Sequence, residues 1–105
     1  MPKSFREKVY EALRTVPKGK VVTYGQLAKM AGSPKAARAV GMCMRTNPDA
    51  PATPCHRVVA ADGSLHGYSG AGGVAQKREM LVEEEVRFIL QKSDRVDLEV
   101  SRYQN

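Results

Sequence analysis

Residues 54–58, Pro-Cys-His-Arg-Val, put the chain's only Cys-His pair at the head of an apolar, β-branched run. Side by side, these two residue types could serve as a nucleophile and its base, as metal ligands, or as a small core residue that happens to precede a histidine. A metal site needs three or four ligands. The soft candidates are Cys43, Cys55, His56 and His66, and no CxxC or HxxxH spacing joins them. Cys43 lies between Met42 and Met44 in a predicted helix, the setting of an inert, buried thiol. For nucleophilic work only the thiolate reacts, so Cys55 would need a base or a positive neighbourhood. On an extended strand adjacent side chains point to opposite faces, so His56 would reach Cys55 only through a bridging water. A third group, most naturally a carboxylate, should orient the imidazole. The composition offers 11 acidic residues and no means of choosing among them. On the residues alone, a reactive and a structural Cys55 both remain open.

These side chains need elements to position them. Phe5, Val9, Leu13 and Val16 recur at helical spacing, with Ser4 and Glu7 placed as a capping box. Pro17 to Lys20 ends that helix, and Val21-Val22 is a short β-rich piece. Thr23 can cap a second helix through Met30, with Gln26 at its capping-box position. Gly32-Ser33-Pro34 makes a turn, and Pro34 is suited to open a third helix through Lys35, Ala36, Ala37, Arg38 and Gly41 toward Arg45. Two short helices about a glycine turn, the second small and basic, are what a helix-turn-helix needs to enter a DNA groove. The same small residues also suit plain helix packing.

Pro48, Pro51 and Pro54 predict an ordered, irregular loop, and Arg57 to Ala60 a short strand turning at Ala61-Asp62-Gly63. The glycine-rich run 67–73 can approach a ligand closely but matches no phosphate-binding fingerprint. Val74, Lys77, Leu81 and Glu83 to Glu85 read as a helix whose acidic end opposes the helix dipole, so at least two of those glutamates should be solvated. In the tail, Val86, Phe88 and Leu90, then Val96, Leu98 and Val100, alternate about a polar turn at Lys92 to Asp94 and predict a β-hairpin.

The chain has 105 residues, 42% hydrophobic and 27% charged, with no internal repeat or linker, so a single domain spanning 1–105 is expected. No apolar run approaches the roughly 20 residues of a membrane span. Residues 1–20 hold no continuous apolar segment, so the expected setting is soluble and cytoplasmic or nuclear, not secreted. Two cysteines are too few for a disulfide scaffold. A formal charge of +6 favours a polyanionic partner, because neutralising phosphates releases counterions.

Residues 54–58 resemble the active-site motif of the O6-alkylguanine-DNA alkyltransferases, the methylated-DNA–protein-cysteine methyltransferases. "VVTYGQLAKMAG", "SPKAARAVG", "RTNP", "GYSG" and "QKREMLVEEEV" resemble further family segments in order and spacing, over roughly residues 5–90. The resemblance implies an α+β, mainly helical, winged-helix-like domain with a helix-turn-helix and a small C-terminal β-hairpin. It implies binding of double-stranded DNA containing O6-alkylguanine, chiefly O6-methylguanine, by a monomer. The alkylated base would be flipped out, since an in-stack base cannot present its alkyl carbon for in-line attack. The alkyl group would pass irreversibly to Cys55, once per molecule, with no cofactor or metal.

In the same terms His56 would be the base acting through a water, and Glu84 would orient it. Tyr24 would donate a proton or hydrogen bond to the guanine, and Asn47 would brace the active-site turn. Arg38 would enter the stack where the base left, while Ala36, Ala37 and Gly41 let the helix approach the groove beside Thr23, Lys35 and Arg45. Pro54 and Val58 would line the pocket, and Tyr68, Ser69 and Gly70 would form its lid.

Four departures stand out. Family members usually carry a domain before this one. Glu85 occupies a position where the family has glycine, and "GYSGAGGVAQK" is longer than the usual spacing from lid to lysine. The tail "VRFILQKSDRVDLEVSRYQN" resembles that of the short alkyltransferase-like proteins, which have tryptophan or alanine in place of Cys55. Those proteins bind alkylated guanine without repairing it and flag it for other repair proteins, which is the alternative expectation here.

Overall fold

The computed structural model describes residues 3–50, 52–65, 73–90 and 93–104. Helix α1 (Phe5–Leu13) opens on the expected capping box: the Ser4 side chain accepts from the Glu7 amide, and the Glu7 carboxylate accepts from the Ser4 amide. Its inner face buries Val9, Tyr10 and Leu13. Strand β1 (Val22–Thr23) runs directly into α2 (Tyr24–Met30), because Thr23 accepts from the Gln26 amide and so caps the helix. The Gln26 side chain does not close the expected box. It reaches the C-terminal segment instead, Nε2 donating to the Tyr103 carbonyl at 2.6 Å.

Gly32, at φ +86°, takes the left-handed conformation that ends α2. Helix α3 (Ala37–Arg45) starts later than Pro34, the expected opening. Pro34 and Lys35 belong to a tight turn in which the Ala36 amide donates to the Ser33 carbonyl, and this reverses the chain before the helix begins. α1 fixes α3 from behind: the Tyr10 hydroxyl donates to the Cys43 carbonyl at 2.7 Å, and Arg6 donates to the Thr46 carbonyl at 2.6 Å.

Strand β2 (Val58–Val59) pairs parallel with β1, Val22 opposite Val58 and Thr23 opposite Val59. Alternation along these short strands divides the interior. Val22 and Val58 face a core shared with α1, α2 and α3. Val21 and Val59 face a second core with Leu65, Leu81, Val86 and Val96.

Helix α4 (Gly73–Glu83) stops one residue before Glu84. The Glu85 and Val86 amides then donate to the carbonyls of Val82 and Leu81, and Glu85 sits at φ +64°. This is a Schellman closure, whose left-handed position normally holds glycine. Glu83 and Glu85 are exposed, as expected for solvated acids, whereas Glu84 is drawn inward.

The tail is only partly the expected hairpin. Phe88 pairs antiparallel with Val96, but Leu98 and Val100 lie in a short helix, α5 (Leu98–Ser101). Asp97 redirects the chain by capping that helix through the Glu99 amide. Arg102 then bridges parallel to Val21, and the Tyr103 amide donates to the Val21 carbonyl at 2.8 Å.

Candidate active site and nucleic-acid face

The segment before β2 is held from both sides. Asn47, almost fully buried, donates through Nδ2 to the Thr53 carbonyl at 2.9 Å and accepts the Asp49 amide at 3.0 Å. Thr53 accepts from Arg14 Nε and donates to Asp49 Oδ2, each at 3.0 Å. The chain then passes Pro54 into a 3-10 turn, Cys55–Arg57, with the Cys55 amide on the Thr53 carbonyl at 2.8 Å. Cys55 and His56 are therefore not neighbours on an extended strand, as the sequence suggested. Pro54 lacks a donor, and the Arg57 amide closes back onto its carbonyl at 2.9 Å, which coils the backbone there. Cys55 is 3% exposed, packed in the core that also holds Val58 and is covered by Tyr24.

His56 is 2% exposed, and its Nε2 lies 3.0 Å from Glu84 Oε2. Glu84 is gripped in turn by Arg57, Nε to Oε1 at 2.9 Å and Nη2 to Oε2 at 2.7 Å, while Arg57 Nη1 donates to the Val16 carbonyl at 2.9 Å. Burial would raise the Glu84 carboxyl, but hydrogen bonds from Arg57 and His56 outweigh it and hold its pKa below the usual value. An ionised Glu84 accepts a hydrogen bond from Nε2–H, which leaves Nδ1 with the lone pair. Nδ1 is buried and makes no hydrogen bond among the described residues. Burial lowers the His56 pKa, with Glu84 pulling against it and Arg57 and Lys77 assisting. The imidazole is therefore held in its neutral form, with a lone pair on Nδ1.

Two contributors were not singled out from sequence as site residues. Arg57 stood in the motif without a role, and Lys77 was read only as part of a helix. Lys77 is 1% exposed; burial lowers its pKa to about 8, against an upward pull from negative charge at Cys55. Gly19, at φ +91°, brings the loop after α1 against the Glu84 backbone: a Cβ there would lie 3.3 Å from the Glu84 carbonyl oxygen. A lysine in an apolar helix face and a glycine after Pro-Lys were the available signals.

Tyr24 joins this turn to a second surface. Its phenol pKa is raised by burial and by charge at Cys55, with Arg45 opposing. It also lines an open depression of about 750 Å³ with Ala37, Arg38, Gly41, Met42, Met44 and Arg45. Lys35, Arg38 and Arg45 are exposed around it, and Arg38 makes no hydrogen bond or ion pair among the described residues. Ala36, Ala37 and Gly41 keep the face low, and a Cβ built on Gly41 meets nothing within 4 Å. Thr23 is spent on capping α2 and is buried. The expected lid residues Tyr68, Ser69 and Gly70 lie outside the described residues, as does His66. Among the described residues no cluster of three or more metal-ligating side chains forms.

A helix-turn-helix face is thus joined through Tyr24 to a turn that holds Cys55 and His56, with Glu84 on the imidazole. Residues 4–86 match the family model described as 6-O-methylguanine DNA methyltransferase, DNA binding domain, and the chain belongs to that family. It is 46% identical over 86 residues to a Shigella flexneri methylated-DNA–protein-cysteine methyltransferase, covering 82% of this chain and 48% of that one. A Mus musculus protein of the same name is 51% identical over 79 residues, covering 75% of this chain and 37% of its own length. The chain thus spans about half the length, or less, of these curated relatives.

Among solved structures, Mycobacterium tuberculosis OGT in complex with DNA superposes with a TM-score of 0.74 at 44% identity, covering 81% of this chain and 51% of that one. Schizosaccharomyces pombe Atl1, bound to damaged DNA containing O6-carboxymethylguanine, superposes with a TM-score of 0.85 at 30% identity, covering 100% of both chains.

Proposed function

We propose that the protein binds duplex DNA carrying O6-alkylguanine and takes the alkyl group onto Cys55 in a single turnover. The observation that carries this is the array of a buried thiol beside a neutral imidazole whose Nε2 is tied to an ionised, arginine-clamped carboxylate. In the proposed step the base leaves the stack, and Arg38 fills the gap with a planar cation that can both stack and hydrogen-bond. His56 Nδ1 takes the Cys55 proton through a water. The sulfur attacks the alkyl carbon, the bond from that carbon to O6 breaks, and a thioether forms. Tyr24, at the mouth of the depression, gives a proton or hydrogen bond to the guanine and so improves the leaving group. Asn47 holds the turn, and Val58 offers backbone to the base. The protein is a reactant, so no cofactor is consumed.

The full-length overlap with Atl1 favours a second reading, in which the chain senses alkylated guanine for other repair proteins and leaves it intact. Intact-mass measurement after incubation with an O6-methylguanine oligonucleotide separates the two. The expected result is a gain of one methyl group that Cys55→Ser abolishes. Tight binding with unchanged mass selects the sensor, and equal affinity for plain and alkylated duplex removes both.

A further inference from the structure

The C-terminal segment, which lies beyond the stretch matching the family, builds a second groove beside the helix-turn-helix. This groove of about 740 Å³ is lined by Gly25, Gln26, Lys29, Pro34, Arg102 and Tyr103, among others, and no side-chain carboxylate among the described residues lines it. It begins next to the depression described above: Gly25 follows Tyr24, and Pro34 stands in the turn before α3. The two cations come from different elements, Lys29 from α2 and Arg102 from the tail.

The tail is held in place rather than draped. Val21 donates to the Ser101 carbonyl at 2.9 Å and accepts from the Tyr103 amide at 2.8 Å, and Lys20 Nζ donates to the Val100 carbonyl at 3.0 Å. Gln26 completes the seat, with Nε2 on the Tyr103 carbonyl at 2.6 Å and Oε1 accepting Arg102 Nε at 3.2 Å. Arg102 is exposed, and its terminal nitrogens make no hydrogen bond among the described residues. Lys29 is exposed and makes no ion pair among them. In helix-turn-helix domains the first helix crosses the nucleic-acid backbone while the second enters the groove. α2 is that first helix.

We propose that Lys29 and Arg102 form a DNA-phosphate site, through which the C-terminal segment extends the duplex-binding surface past α3. This inference rests on the DNA-binding part of the proposed function. Phosphate contacts are indifferent to base identity, so the groove adds affinity equally for damaged and undamaged DNA, whereas Arg38 and Cys55 act only on the damaged base. The tail thereby sets how long the protein stays on DNA while searching.

The test measures affinity for plain and O6-methylguanine duplexes over a range of salt, using the whole chain with Lys29→Ala and Arg102→Ala combined. The expected result is a loss of about tenfold on both duplexes, with the slope of log affinity against log salt shallower by about two, roughly one per phosphate released. The charge-keeping pair Lys29→Arg and Arg102→Lys should retain affinity. Unchanged affinity and slope, with Arg38→Ala still weakening binding in the same assay, would overturn the groove and leave the functional reading standing. Loss in the charge-keeping pair would overturn it in favour of a packing role. Failure of the unaltered chain to bind duplex would overturn both.

Discussion

The turn around Cys55 and the face around Arg38 treat polar side chains in opposite ways. In the turn, Asn47, Thr53, His56, Arg57 and Glu84 are each tied to another protein group, and their geometry is complete before any partner arrives. On the face, Lys35, Arg38 and Arg45 project past small residues into solvent. Groups that must act on a reacting atom are fixed in advance, which removes reorganisation from the chemical step. Groups that must meet a large polyanion gain by staying hydrated until its phosphates replace the water and release counterions. Damage to the first should therefore cost stability together with chemistry, and damage to the second should cost binding alone.

The largest expected effect is Arg57→Met. It leaves Glu84 partly buried without its clamp and should destabilise the fold by about 3 kcal/mol in urea unfolding while abolishing methyl transfer. Retained stability would break the comparison at its strong end. Next comes Arg38→Ala, expected to weaken affinity for O6-methylguanine duplex at least tenfold, about 1.4 kcal/mol, with unfolding free energy changed by less than about 0.5 kcal/mol. A matching loss of stability would show that the face is structural after all.

Acidification should separate the regions as well. Burial holds the His56 pKa below 6.5, so the folded base stays unprotonated through that value and transfer should slow only at lower pH. The unfolded chain protonates His56 first, so the stability linked to this residue is present above pH 6.5 and declines as pH falls below it. Duplex binding through the arginines should show no such step.

Glu85→Gly should add about 1 kcal/mol, because φ +64° is strained for a residue with a Cβ. The smallest effect sharpens the contrast most. Gly41→Ala should raise stability by about 0.5 to 1 kcal/mol, since the added methyl meets open space in a helix, and should weaken duplex binding by filling room the DNA backbone needs.

Local signals carried much of this architecture. Ser4, Glu7 and Thr23 announced their helices because capping is written within four residues. Val21-Val22 and Arg57 to Ala60 were readable as short β pieces, but their parallel register was not, because it is decided by which core each valine enters. The tail misled for a definable reason. Leu98 and Val100 sit at strand spacing, yet Asp97 caps a helix across them, and one capping carboxylate outweighs two alternating residues. At the site, the motif Pro54-Cys55-His56 gave the candidate pair, and the family likeness pointed to Glu84. The grip of Arg57 on Glu84 and on the Val16 carbonyl was invisible, since it depends on a loop and a helix end distant in sequence. Lys77 left only a faint signal, its place at helical spacing between Val74 and Leu81.

The two-stranded sheet has one more consequence. The family match ends at Val86, but the second core that β1 and β2 bound is finished by Val96, and Val21 is hydrogen-bonded to Ser101 and Tyr103. The stretch that matches the family model and the stretch that completes the packing are consequently different objects. A chain cut after Val86 would keep the motif and the recognition helix, yet it would lose Val96 from the second core and leave the Val21 backbone, at the start of the strand that pairs with β2, without its partners.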